Sequence, residues 1–226
     1  VRPFLLVLSA PSGAGKTRIK DMLLQGRDDV AYSVSATTRA PRDGEVDGRS
    51  YHFLAREEFE RRRDAGEFAE WAPYAGHLYG TLRSELERIV AQGKHPVLDI
   101  EVEGARQLRA HYPNSVLVFV LPPSGRTLVE RLVGRNTEPP EVVARRLRRA
   151  AEELGAVGEY DYAVVNDDLT TAVGQVASIL DAETRRVARQ AGLPDGLEQL
   201  QREIDAAARR LEHQAREPRP EAIRER

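Results

Sequence analysis

Residues 10 to 17 read APSGAGKT, and their types and order suit the binding of a phosphate chain. Gly13 and Gly15 leave backbone amides bare to phosphate oxygens, and a helix starting just after them adds its partial positive charge. Lys16 is placed to reach the outer phosphates of a nucleoside triphosphate, and Thr17 offers a hydroxyl to a Mg²⁺ ion bridging them. The motif usually begins with glycine, but Ala10 stands there. Pro11 pushes its predecessor into extended geometry, where alanine has no penalty, so the bare backbone is needed at Gly13 and Gly15 instead. Of 34 basic residues only Lys16, Lys20 and Lys94 are lysine, so a compact point charge at position 16 stands out against an arginine background.

Such a loop needs a strand before it and a helix after it. Phe4 to Ser9 is a short apolar run of the doubly buried type, and Ile19, Met22 and Leu23 recur beyond the loop at helical spacing. Further buried strands are expected at Pro96 to Ile100, Ser115 to Leu121 and Tyr162 to Asn166. Strands alternating with helices argue for an α/β fold with a parallel core sheet covered on both faces. Between residues 34 and 94 short stretches rich in Thr, Tyr, Phe and Gly predict a small inserted mixed sheet, with Arg56 to Ala65 helical. From Arg126 to about Ala156 an arginine-dense helical pair is interrupted at residues 134 to 140, the pattern of an exposed flap. Thr171 to Ala191 is expected as the last helix of the body, with Val173, Val176, Ile179 and Leu180 inward and a break at residues 192 to 196.

Composition narrows the class. The 226 residues, 41% hydrophobic, are enough for one substantial core. Acids (36) and bases (34) nearly cancel, which gives no overall attraction to nucleic acid or an anionic membrane. With no cysteine and no paired histidine spacing, any metal is expected to be a hard cation held by oxygens. No apolar run approaches a membrane span and no leader pattern is present, so a cytoplasmic protein is expected. After the break, Leu197, Leu200, Ile204, Ala207 and Leu211 keep a heptad spacing for about two repeats. This helix either packs on its own domain or is loosely exposed, or else it meets a second chain, so a monomer and a homo-oligomer both remain open. The last stretch, REPRPEAIRER, has the composition of a disordered end.

Two more segments, SATTRAPRDGEVDGRSY from Ser35 and GEFAEWAPYAGHLYGT from Gly66, resemble guanylate kinases, and with the loop the resemblance runs from about Phe4 to Ala191. It implies a three-layer P-loop kinase with a GMP-binding insertion at about 34–94, a helical lid at about 126–156, and core segments at about 1–33, 95–125 and 157–191. Residues 192–226 then form a charged helical extension. The implied substrates are ATP with Mg²⁺, and GMP or dGMP.

By the resemblance, Ala10, Pro11, Ser12, Gly13, Ala14, Gly15, Lys16, Thr17 and Asn166 bind ATP, Asn166 on the adenine side; a helix cap is the other reading of that residue. Arg39, Arg42, Tyr51 and Tyr79 match the positions that hold the GMP phosphate, and two guanidinium groups with two hydroxyls suit that task. Glu70 matches the reader of the guanine edge, whose N1–H and amino group a carboxylate accepts together, and Ser35 and Thr81 match its hydroxyl contacts. Asp99 and Glu101 fall between the nucleotides. Thr17 is the direct metal ligand, and Asp99 acts on the metal through water. Lys16, Arg131, Arg135 and Arg146 match the cations over the migrating group, which carries charge in the transition state. Glu103 and Asn136 depart from the family's glutamine and glycine. An inactive interaction module, a sugar-phosphate kinase and a GTPase switch are the alternatives. The first sits poorly with an intact loop, the second with a guanine reader at position 70, and the third with the absence of an Asn-Lys-x-Asp motif.

Overall fold

The computed structural model describes residues 2–134 and 139–216. In chain order, β1 (Leu6–Ser9) runs into the phosphate loop and α1 (Lys16–Gly26), and β2 (Val30–Tyr32) returns beside it. A second sheet follows: β3 (Ala36–Thr37), β4 (His52–Phe53), α2 (Arg56–Asp64), β5 (Phe68–Tyr74) and β6 (His77–Leu82). Then come α3 (Arg83–Ala91), β7 (His95–Asp99), α4 (Val102–His111) and β8 (Val116–Leu121). The helical pair α5 (Gly125–Val133) and α6 (Pro140–Leu154) precedes β9 (Tyr162–Val165), α7 (Leu169–Thr184) and α8 (Leu193–Arg216).

The expected parallel sheet is present, in the order β2-β7-β1-β8-β9. Its centre, β1, has Leu6 opposite Val97 on one side and Val116 on the other. Strand residues alternate between two cores, as the pleat requires. Leu6, Leu8, Val97, Val118 and Val164 face Ile19 and Leu23 of α1 and Val176 and Leu180 of α7. Leu5, Val7, Leu98 and Leu117 face Leu86 of α3 and Ala105 and Leu108 of α4. The result is three layers, helices on both faces of a buried sheet.

The second sheet has the order β4-β3-β6-β5, with β3 and β4 parallel and the other pairs antiparallel. Its core is Phe59, Phe68, Leu78 and Leu82, with the Phe59 and Phe68 rings stacked. The lid pair has a core of its own, Leu128 and Leu132 against Ala150.

Several boundaries differ from the sequence reading. Met22 is exposed, because Ile19 and Leu23 define the buried face of α1 and position 22 lies off it. Lys20 takes the burial instead, its ammonium 4.0 Å over the Tyr32 ring. The strand β2 and the helix α3 were not anticipated; β2 has only three residues, too few for a periodic signal. The helix α7 starts at Leu169 and ends at Thr184, short of Ala191. Asp168 caps its start, Oδ1 accepting from the Thr171 backbone N–H at 2.8 Å. The break at residues 192 to 196 shrinks, since α8 begins at Leu193 and takes Pro194 into its first turn, where no N–H is missed. By its internal contacts Pro3–Glu183 is one compact unit, and the chain from Thr184 onward with Arg2 is another. On α8, Leu197, Leu200, Ile204 and Leu211 are exposed. Among the described residues no helix is long and apolar enough to cross a membrane.

Candidate active site

A cleft of about 1450 Å³ opens between the phosphate loop, the second sheet and the lid. At its floor Gly13 and Gly15 have φ of 91° and 94°, the left-handed region that favours glycine, while Ala10 is buried without any such demand. Gly15 is constrained twice. A Cβ there would lie 2.3 Å from Nδ2 of Asn166, which donates at 2.7 Å to the Ala14 carbonyl. Asn166 is thus no helix cap: it sits at the end of β9, buried, and pins the loop from behind. Ala14 is buried and does not line the cleft; its carbonyl is taken by Asn166.

Lys16 Nζ lies 2.9 Å from Asp99 Oδ1 and 3.4 Å from Glu101 Oε1, and donates to the Ile100 carbonyl at 3.1 Å. Burial alone would lower its pKa, but Asp99 and then Glu101 outweigh it, holding the ammonium above its ordinary value. Thr17 Oγ1 is 3.4 Å from Asp99 Oδ2. Asp99 ends β7, beside β1 in the sheet, and Glu101 is the residue before the first turn of α4. This oxygen set fits Mg²⁺ in the usual manner of a phosphate-loop site, one or two protein oxygens with the rest from phosphates and water. Among the described residues no cluster of three acidic or histidine side chains could hold a metal alone.

At the other end of the cleft, an irregularity in β5 between Phe68 and Glu70 shifts the register so that Glu70 lies opposite Thr81. Thr81 Oγ1 donates to Glu70 Oε1 at 2.6 Å. Thr81 itself is wholly buried and does not line the cleft, so it acts through Glu70. Burial pushes the Glu70 carboxyl up to about 7, against the lowering effect of the Thr81 hydrogen bonds. Ser35 lines the same region. The rings of Tyr51 and Tyr79 meet edge to face at 5.9 Å, and the Arg39 guanidinium lies 5.4 Å over Tyr51. Arg42 also lines the cleft.

Of the expected lid arginines, Arg131 and Arg146 line the cleft. Arg146 donates to Ser12 Oγ at 2.7 Å, and Arg131 to the Asn166 carbonyl at 3.3 Å. Arg135 and Asn136 lie outside the described residues.

Three contributors went unseen in the sequence. Glu45 accepts from Arg39 Nη2 with both oxygens, at 2.8 and 2.9 Å, and from the Arg42 backbone N–H at 2.8 Å, so it fixes the Arg39 guanidinium and the backbone at Arg42. Gly104 of α4 makes room for the Glu70 carboxylate, since a Cβ there would come within 2.4 Å of Glu70 Oε2. Gln107, one turn on, fastens α4 to β5 by accepting from the Trp71 N–H at 3.2 Å and donating to its carbonyl at 2.9 Å. An acidic residue three positions after the second arginine of the pair could have suggested Glu45; nothing local in the sequence points to the α4 contacts. Glu103, the departure noted above, points to Arg106 at 3.5 Å and is largely exposed.

Comparison with known proteins gives a consistent result. The family model described as guanylate kinase matches residues 2–183. A guanylate kinase of Symbiobacterium thermophilum is 49% identical over 185 residues, covering 82% of this chain and 88% of that protein. One of Sphingopyxis alaskensis is 45% identical over 211 residues, covering 93% and 96%. The crystal structure of guanylate kinase from Anaplasma phagocytophilum superposes with a TM-score of 0.73 at 36% identity, covering 87% of this chain and 94% of that one. With the phosphate loop, the buried carboxylate reader and the lid arginines assembled around one cleft, the chain belongs to the guanylate kinase family.

Proposed function

We propose the following division of labour for the transfer of the γ-phosphoryl group of ATP to GMP, the reaction of this family. The ATP phosphates lie in the loop from Ala10 to Thr17, under the amides freed by Gly13 and Gly15, with Asn166 holding the loop and lying toward the adenine. GMP lies opposite, its base edge on Glu70 and Ser35 and its phosphate between Arg39, Arg42, Tyr51 and Tyr79. Asp99 and Glu101 stand between the two nucleotides.

A GMP phosphate oxygen attacks the γ-phosphorus in line, the bond to the β-phosphate oxygen breaks, and ADP and GDP result. Lys16, Arg131 and Arg146 face the oxygens on which charge develops, and Arg135 joins them on its place in the sequence. Thr17 would hold Mg²⁺ directly and Asp99 through water, and the ion would supply positive charge to offset that of the phosphates. An ionised phosphate is the nucleophile, so no strong general base is required. The reaction returns GMP, or dGMP, to the diphosphate level in purine nucleotide metabolism, and a cytoplasmic setting suits those substrates.

The observation that carries this reading is the pairing within one cleft of an intact phosphate loop and a buried Glu70–Thr81 reader, with Lys16, Asp99 and Glu101 between them. An adenine would leave the Glu70 carboxylate unpaired, and such mismatches cost factors of about 10⁴. The test is ADP production from ATP with GMP, AMP, CMP and UMP as acceptors, in the parent and in Lys16→Met and Glu70→Ala. Turnover is expected with GMP alone, Lys16→Met abolishing it and Glu70→Ala removing the preference for GMP. Turnover of AMP as fast as GMP would overturn the reading.

A further inference from the structure

The helix α6 touches both sides of the cleft. Arg146 reaches Ser12 of the phosphate loop at 2.7 Å, and Arg149, three residues on and so on the same face, lies 4.3 Å over the ring of Tyr74 in β5. Arg149 is held there by Glu153, whose Oε1 accepts from Nε at 2.8 Å. Both Arg149 and Tyr74 line the cleft.

Tyr74 is not an isolated ring. It meets Tyr79 edge to face at 5.9 Å; Tyr79 meets Tyr51 in the same manner, and Tyr51 lies under the Arg39 guanidinium. The lid arginine and the arginine assigned to the acceptor phosphate are therefore the two ends of one continuous file of edge-to-face rings. The hairpin that presents Tyr74 is tight: Ala75 has φ of 49° and Gly76 of 83°, and Ala75 is the one non-glycine residue in the left-handed region among the described residues. That turn ties the direction of β5 to β6, and hence Tyr74 to Tyr79, more firmly than a longer loop would.

We propose that Tyr74 and Arg149 are positioning residues that tie closure of the lid to occupation of the acceptor site. A phosphate bound by Arg39, Tyr51 and Tyr79 fixes their rings; Tyr74 is fixed with them, and its face offers Arg149 a seat. Seating Arg149 holds α6 where Arg146 stands over the phosphate loop. Acceptor binding thereby tightens ATP binding without touching it, and by reciprocity ATP tightens the acceptor. The bond is electrostatic, a cation on an aromatic face, so the ring is needed and its hydroxyl is not.

The inference rests on GMP occupying the site assigned above. It is tested by calorimetric titration of the full chain with the β,γ-imido analogue of ATP and Mg²⁺, with and without saturating GMP. In the parent, GMP is expected to tighten the analogue; in Tyr74→Leu and in Arg149→Ala that tightening shrinks by about threefold or more. Tyr74→Phe should keep it, and the double variant Tyr74→Leu with Arg149→Ala should be no worse than either single one. Binding of each nucleotide alone checks that the variants are folded. If GMP binds and Tyr74→Leu retains the parental tightening, or the parent shows none, the coupling is overturned. If GMP does not bind the parent, the assignment of the acceptor site fails first.

Discussion

Glu70 carries opposing demands in one side chain. It is 5% exposed and its pKa is pushed up to about 7 by burial, so near neutrality the folded protein holds it between two protonation states. The ionised form is the one the proposed guanine contact requires, and it is also the form that burial disfavours. The sign follows from the raised value: the folded state binds this proton more tightly than the unfolded chain. Stability from Glu70 is full below about 4.5, the ordinary carboxylate range, and is lost as pH rises through 7. The loss amounts to about 3 kcal/mol. In Glu70→Gln this slope should vanish, so the variant gains on the parent between pH 5 and pH 8 in urea unfolding. Parallel curves for the two proteins would show that the carboxylate is not perturbed. In the proposed binding mode the guanine edge would supply further donors to this carboxylate, so GMP is expected to stabilise the folded state more strongly above pH 7. Gly104 belongs to the same site, and it matters by what it lacks.

At the scale of elements, the strand-loop-helix unit shows which glycines its geometry requires. Ala10→Gly should change ATP affinity and turnover little, because the backbone at Ala10 is not left-handed. Gly15→Ala meets both a φ of 94° and the Asn166 amide at 2.3 Å, so ATP binding should be nearly lost. Fluorescence titration with a labelled ATP analogue separates them, and equal effects would mean the strained position has been misplaced. This unit was legible in the sequence because an apolar run, two glycines and a helical repeat sit within twenty residues. The strands β7 and β8 were legible for the same reason, being continuous apolar runs. Tyr162 to Asn166, also expected buried, instead forms the edge strand β9, with Ala163 and Val165 exposed because only one side of it has a neighbouring strand. What could not be read depended on contacts between distant segments. Thr81 was expected against the base and lies behind Glu70; Asn166 left two readings open and proved to be the pin of the loop. The α4 helix, seen only as a connector, shapes the base site because β5 docks on it through Gln107, a contact between residues 36 positions apart. Met22 failed through a face assignment made from three residues, too few to fix the phase of a helix.

At the scale of the molecule, the chain divides at residues 183 and 184, and the family model ends at the same place. Every described residue assigned to the cleft lies in the Pro3–Glu183 unit. A chain ending at residue 192 should therefore retain turnover within about twofold, as surface changes remote from a site commonly do. Steady-state assays of the two lengths check this, and a large loss would make the extension part of the working unit. The bond from Asn166 to the Ala14 carbonyl has one more consequence, for how the protein comes into being. It joins residues 152 positions apart, and the central strand β1 has its two partners, β7 and β8, far downstream as well. A nascent chain presents the phosphate loop first and the side chain that pins it near the end of the core. Local helices have time to form long before that bond closes, and such long-range closures are the slow steps of folding. Competence to bind ATP is therefore expected to come late in folding, and nucleotide binding should lag the recovery of helical signal when the unfolded chain is returned to native conditions.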